Sequence, residues 1–205
     1  MWVQGGRSGP RVAGAGDAAR VTEIFVEAFY RDPVWGWAFP DDGARRSQHE
    51  AFWGLFVEGA LPHRWVWLAP GDAAAALWLP PGCPELSPSQ ETRLEPLLER
   101  MLGARQAEIL HRTFERFDAA QPAAPPHYYL SLLGTHPDHR GRGAGMGLLA
   151  DNLALIDDLG APAYLESTNP GNHARYERLG FRRLGGFELP EGGPPVATMW
   201  REPGG

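Results

Sequence analysis

The chain has 205 residues, 43% of them hydrophobic, and a formal net charge of −6 at pH 7; this length buries one substantial core and reads as a single domain over residues 11–205 behind a flexible start at residues 1–10. All nineteen cationic Lys/Arg positions are arginine, which excludes a lysine Schiff base and the phosphate-binding lysine of a nucleotide P-loop. The acidic balance argues against a nucleic-acid partner, the single Cys83 excludes an internal disulfide and a cysteine metal site, and the lack of a signal sequence or membrane-length apolar run reads as a cytoplasmic protein with no membrane partner.

Arg11 to Ala13 reads as a short edge strand, and Asp17 as the cap of a first helix. Val21, Ile24, Phe25, Ala28 and Phe29 recur along that helix at helical spacing until Pro33 stops the run. A second helix is expected over Ala44–Ala60, carrying Phe52, Trp53, Leu55 and Phe56. "RWVWLAPGDAAAALWLPPG" reads as a hairpin turning at Pro70-Gly71-Asp72. Residues 88–119 are expected to be helical, bent or broken near Pro96 and Gly103. "HYYLSLLGT" then reads as a strand, Gly143–Leu159 as a helix closed by Gly160, and "PAYLEST" as a strand. "GNHARYERLG" reads as a helix closed by Gly180, and "FRRLGGFEL" and "VATMWRE" as two further strands. Helix and strand alternate, so the fold class is mixed α/β.

"HPDHRGRGAGMGLL" places Gly141, Gly143, Gly145 and Gly147 directly before an apolar helical run. Each glycine inside a helix costs about 1 kcal/mol relative to alanine, so bare backbone is needed there for another reason. A helix start has amides without internal partners and a partial positive charge, and glycine lets an anion come close to both. Arg140 and Arg142 add planar donors suited to phosphate. A dinucleotide fold would use Glu166 as its ribose-binding acid, but the spacing is not G-x-G-x-x-G and "THPDHR" intervenes. A merely flexible glycine turn is less economical, since arginines flank the loop and a strand and a helix bracket it.

Arg140-x-x-Gly143-x-Gly145 resembles the Q/R-x-x-G-x-G/A pyrophosphate loop of the GCN5-related N-acetyltransferase (GNAT) family. "NPGNHARYERLGF" resembles that family's second signature, in which Asn and Tyr precede a Gly-Phe pair. "LESTNPGNHARYERLGF", "ELPEGGPPVATMWREP" and "AAALWLPPG" look most like puromycin N-acetyltransferase-type members. The specific likeness covers residues 127–182, with a weaker one over most of the rest. The resemblance implies a GNAT fold, whose central twisted, mostly antiparallel sheet is splayed between strands 4 and 5 and flanked by helices. It also implies acetyl-CoA as cosubstrate, with no metal.

On that resemblance, Arg140, Gly141, Arg142, Gly143, Ala144 and Gly145 form the pyrophosphate loop, with the amides of residues 142–145 as donors. Leu133, Gly134 and Thr135 line the pantetheine arm, and one amide there polarises the thioester carbonyl. Asn169 and Asn172 are further cofactor contacts or helix caps. Tyr176 falls at the family's acid position, where a phenol of pKa about 10 meets a thiolate of pKa about 8.5; a buried structural aromatic is the other reading. Glu166 is the candidate base, against a surface strand-end carboxylate or a water relay with no dedicated base. His136 reads as structural and Cys83 as an incidental loop residue.

Six of the eight tryptophans lie between Trp35 and Trp78, in the part of the chain that supplies the acceptor pocket in this family. Within "FYRDPVWGWAFPDD", Tyr30, Asp32 and Trp35 are candidate substrate contacts, a mixture of aromatic and acidic groups suited to an amine with an apolar part. Trp65 and Trp67, alternate positions of a strand, share one face and are weaker candidates. The expected reaction is acetyl transfer to a primary amine of a small molecule, an aminonucleoside or another antibiotic-like metabolite. Protein or peptide amines, and a noncatalytic acyl-CoA-binding sensor or scaffold, stay open as alternatives. Monomer and homodimer are both compatible with the sequence.

Overall fold

The computed structural model describes residues 9–204, so residues 1–8 of the expected flexible start lie outside the described residues. The elements in chain order are β1 (Arg11–Val12), α1 (Ala18–Phe29), α2 (Pro33–Ala38), α3 (Arg45–Ala60), β2 (Val66–Leu68) and β3 (Ala74–Leu79). They continue with α4 (Pro88–Leu102), α5 (Ala104–Ala120), β4 (Tyr128–Thr135), α6 (Ala144–Asp158), β5 (Ala163–Ser167), α7 (His173–Glu177), β6 (Arg182–Glu188) and β7 (Pro195–Arg201). One sheet holds seven strands in the order β1-β2-β3-β4-β5-β7-β6. Every pairing is antiparallel except that of β4 with β5.

Two cores flank this sheet. Ile24 and Phe25 of α1, Phe52 and Trp53 of α3, and Leu110 of α5 pack on one face. Leu149, Leu153 and Ile156 of α6, with Tyr176 of α7, pack on the other. Gly103, at φ +77°, separates α4 from α5 at the expected break, whereas Pro96 stays inside α4.

One local expectation fails, and a second proves incomplete. Asp17 precedes α1 without capping it; its carboxylate accepts from the Gly14 amide at 2.9 Å and pairs with the Arg11 guanidinium at 2.8 Å. Pro33 ends α1 but also opens α2, since proline is tolerated in a first turn. Asp32 caps α2, accepting from the Val34 and Trp35 amides at 3.0 and 3.3 Å. Its second oxygen accepts from the Thr168 hydroxyl at 2.8 Å, which ties the α1–α2 corner to the loop after β5. Asp32→Ala is expected to lower stability by about 1–2 kcal/mol, the usual cost of a lost cap, measurable by urea denaturation.

The feature that shapes the site is a bulge in β4. Leu77 faces Leu132 while Trp78 faces Leu130, so Ser131 is an extra residue on its strand. An extra residue inverts the side-chain alternation. Leu130 packs in the α6 core with Trp78, and Leu132 packs in the α1 core with Leu77. Downstream, Gly134 turns toward α1, where an added Cβ would lie 2.9 Å from the Ala28 Cβ. Thr135 turns toward α6.

The parallel ladder between β4 and β5 covers only Tyr128–Leu130 opposite Ala163–Leu165. β4 continues to Thr135 and β5 to Ser167 without pairing to each other, so the sheet opens into a wedge. Backbone amides and carbonyls on its inner sides are available to a ligand.

Candidate active site

Two clefts meet in the wedge. The first encloses about 1510 Å³, part of it open to solvent, and is lined by Leu133, Thr135, Arg140, Gly141, Gly143, Ala144, Gly145, Asn169, Asn172 and Tyr176. The second encloses about 890 Å³ on the same terms. Phe29, Asp32, Leu133, Asn172 and Tyr176 border both.

The glycines of the loop have separate reasons to be there. Gly141 and Gly143 both sit at φ +77°, a backbone region that L side chains rarely adopt. Gly145 is buried, and a Cβ on it would come within 2.3 Å of the Thr135 hydroxyl oxygen, so only bare backbone lets α6 begin against the end of β4. Gly147 faces open space and has no steric reason to be glycine. The Gly147 amide donates to the Gly143 carbonyl at 2.8 Å; this is the first turn of α6, and it leaves the amides of Ala144, Gly145 and Met146 without helical acceptors.

The loop differs from expectation in its charges and in one strand residue. Arg140 borders the cleft, but its guanidinium donates to the Glu27 carbonyl at 3.0 Å and to the Ala28 carbonyl at 3.5 Å, closing the last turn of α1. Arg142 and Gly134 are not among the lining residues. Besides Arg140, positive charge comes from Arg31, Arg175 and Arg178, with His139 beside them. Those arginines went unnoticed in the sequence, although Arg175 and Arg178 flank Tyr176 at a three-residue spacing that gives one helical face. Asn169 accepts from the Gly171 amide at 2.9 Å, and Asn172 accepts from the Arg175 guanidinium at 3.1 Å. Both asparagines stay at the cleft.

The second cleft has the opposite electrostatics. Asp32, Glu85, Asp118 and Glu166 line it, and no arginine does among the described residues. Its walls are Phe29, Trp35, Phe52, Trp53, Phe114 and Phe117, with Trp35 edge-on to Trp53 at 4.7 Å between ring centres. Tyr30 is not brought here; its hydroxyl donates to the Asp42 carbonyl at 3.0 Å, and the Arg45 guanidinium lies over its ring. Trp65 and Trp67 pack on the α6 side of the sheet, Trp65 against Tyr128. Asp32 is present, but both of its oxygens are already engaged as described above.

Tyr176 is 8% exposed, and no other described residue hydrogen-bonds its hydroxyl. Burial pushes its pKa up to about 12, the Asp32 carboxylate adds to the rise and Arg175 opposes it, so the phenol keeps its proton at any ordinary pH. Glu166 lies on the inner side of β5, one position beyond the last β4–β5 pair. Burial raises its pKa to about 8; the phenols of Tyr129 and Tyr164 favour its anion, and Glu85 opposes them. One of its carboxylate oxygens is buried without a hydrogen-bond partner, a costly state unless it carries a proton or meets a ligand. Glu85, absent from the sequence expectations, is raised to about 7 by burial and accepts a hydrogen bond from Ser131 on the bulge. It comes from the "GCPEL" loop, 46 residues away from Ser131, and no periodicity or motif marks it.

A basic cleft with free helix-start amides, joined through a phenol to an acidic aromatic cleft, is an arrangement for passing a group from an anionic carrier to a cationic acceptor. The sequence profile of the acetyltransferase (GNAT) family matches residues 19–181, and the chain belongs to that family of acyl-transferring enzymes, which use acetyl-CoA as cosubstrate. Among solved structures, the chain is similar to "histone acetyltransferase HPA2 and related acetyltransferase" from Corynebacterium glutamicum, at 25% identity and a TM-score of 0.66, covering 97% of this chain and 98% of that one. It shares its fold with a polyamine N-acetyltransferase of Drosophila melanogaster, at 16% identity, TM-score 0.66, and 94% and 98% coverage. It also shares its fold with arylalkylamine N-acetyltransferase 2 of Aedes aegypti, at 12% identity, TM-score 0.63, and 95% and 98% coverage. No helix among the described residues is long and apolar enough to cross a membrane, and no group of three or more His, Cys, Asp or Glu there is arranged to hold a metal.

Proposed function

We propose that this chain is an acetyl-CoA-dependent N-acetyltransferase acting on the primary amine of a small molecule. The observation that carries this reading is the charge contrast of the two clefts across Tyr176. Arg31, Arg175 and Arg178, with the amides of residues 144–146, suit an anionic diphosphate. Asp32, Glu85, Asp118 and Glu166, with aromatic walls, suit an ammonium group on an apolar frame. The bare inner edge of β4 at Leu133–Thr135 offers backbone groups to the amides of a pantetheine arm.

In this reading, the ammonium first loses one proton to solvent, the neutral nitrogen attacks the thioester carbon, and the carbon–sulfur bond breaks. Glu166 takes the second proton from the attacking nitrogen, the Tyr176 hydroxyl gives its proton to the departing sulfur, and the proton held by Glu166 then returns through water to the phenolate. A phenol near pKa 12 is a weaker acid than a free thiol of about 8.5, so Tyr176 acts through a hydrogen bond that strengthens as charge builds on sulfur, with the proton crossing late. Asp32 positions the α1–α2 corner beside this exchange. An aminonucleoside or other antibiotic-like acceptor, of the kind the puromycin N-acetyltransferase-type likeness implies, fits the same aromatic and acidic lining.

Two measurements test the reading. Thiol release from acetyl-CoA with a panel of small amines is expected, and tight CoA binding without release for any amine would favour a sensor. Because burial holds Glu166 protonated below about pH 8, kcat/KM is expected to rise through that pH. The amine's own ionisation contributes equally in Glu166→Gln, so the limb that disappears in the variant belongs to Glu166. Superimposable profiles would remove Glu166 as the base.

A further inference from the structure

The second cleft shares part of its lining with a neighbouring pocket. Glu85, Asp118, Gln121 and Tyr129 line the cleft and also line that pocket, which is walled by prolines of residues 80–84 and 122–126. The cleft thus runs from Tyr176 past Glu166 to a second carboxyl station and then toward the surface. The two stations are linked by Tyr129, whose phenol feels both the Glu166 and the Glu85 carboxylates and is raised well above its ordinary range by burial and by them. Glu85 has its carboxyl enclosed, and its contact from the protein is the Ser131 hydroxyl of the bulge. Beyond it Asp118, exposed on α5 at the outer end of the cleft, is also raised, by burial and by Glu115.

An enclosed carboxyl group with no cation beside it either holds its proton or meets a ligand that brings the charge. Although nineteen arginines are available to the chain, none lines this cleft among the described residues. In the proposed reaction Glu166 is the one carboxylate that works beside the reacting nitrogen. The outer pair, Glu85 and Asp118, has no part in that chemistry, and neither has a guanidinium partner among the described residues. The lining between the stations is apolar and aromatic, with Phe114 and Phe117, a surface for methylene or aryl groups.

We infer that the acceptor carries a second cationic group, separated from the amine to be acetylated by an apolar spacer, and that Glu85 and Asp118 select it. The acceptor class is therefore a diamine or a cationic aralkylamine, with Glu166 reading the near charge and Glu85–Asp118 the far one. This inference rests on the proposed acceptor role of the second cleft, but its test does not rest on turnover.

The test is calorimetric binding of matched pairs, an n-alkylamine against the α,ω-diaminoalkane of equal length, for chains of several lengths, to the full protein with CoA present. The diamine is expected to bind about tenfold or more tightly than its monoamine partner at one optimal length, since a charge-assisted contact to an enclosed carboxylate has at least that effect. In Glu85→Gln, which keeps an acceptor for Ser131, and in Asp118→Asn on the exposed side of α5, the diamine-to-monoamine ratio is expected to fall toward one. Equal affinities for the two members of every pair, or a ratio that survives both substitutions, would overturn the inference. Thiol release measured on the same pairs separates the two levels: selective diamine binding without release upholds the far-charge site and counts against the acetyltransferase reading, while release with no diamine preference does the reverse.

Discussion

Tyr176→Phe is expected to reduce kcat by about 10²–10³-fold, within the usual range for removing a general acid, while CoA affinity changes less than about threefold. The phenyl ring of the substitute fills the same space between Phe181 and the sheet, where the tyrosine ring lies 6.1 Å from that phenylalanine, so folding and the shape of both clefts are preserved. Only the hydroxyl leaves, and that hydroxyl has no hydrogen-bond partner among the described residues. If its role were structural, thermal stability would fall and turnover would follow it. The expected result is the opposite: an unchanged melting temperature with a large loss of turnover, greatest for acyl donors whose leaving thiol has the highest pKa. Equal turnover in the variant across pH 6–9 would remove Tyr176 from the reaction.

The second large effect belongs to the loop. Gly143→Val is expected to weaken CoA binding by about 100-fold or more, because φ +77° is strained for a β-branched residue by about 1–3 kcal/mol. Relief of that strain turns the amides at the start of α6 away from the cleft. Gly145→Val acts differently, through a Cβ only 2.3 Å from the Thr135 hydroxyl, and is expected to push α6 off β4 and lower stability as well as affinity. Gly147→Ala provides the contrast. It meets open space, sits inside the helix, and is expected to raise stability by about 1 kcal/mol with CoA affinity intact. Titration calorimetry with CoA, beside thermal melts of the three variants, distinguishes these outcomes.

Much of this architecture was legible in the sequence because it depends on local chemistry. Glycines before an apolar run announced an exposed helix start, and the Gly103 break and the Gly160 and Gly180 stops marked ends that the structure keeps. Expectation was incomplete where one residue serves two purposes. Asp32 borders the acceptor cleft among aromatics, and its oxygens also cap α2 and hold Thr168. Arg140 opens the loop motif and borders the basic cleft, and its guanidinium also closes α1. Tyr30 was grouped with the pocket by proximity in sequence, and a bond to the Asp42 carbonyl holds it elsewhere.

The bulge at Ser131 could not be read, since "LSLL" is compatible with unbroken alternation and the extra residue shows only in the pairing with β3. Its consequence is large: it turns Thr135 toward α6 and Gly134 toward α1, and it gives Glu85 a partner 46 residues distant. Glu85 is the residue that long-range packing supplies and local pattern cannot. The arginines of the cofactor side lie between these cases. Arg175 and Arg178 stood beside Tyr176 in plain view, but their charge acquires meaning only when α7 is laid next to the start of α6.

The most direct test is a crystal structure of the protein with CoA bound. The diphosphate is expected within hydrogen-bond distance of the amides of Ala144, Gly145 and Met146, with the pantetheine arm in the wedge beside Leu133–Thr135 and the sulfur next to the Tyr176 hydroxyl. A diphosphate bound away from the start of α6, or a wedge left empty by a well-ordered CoA, would contradict the assignment of both clefts.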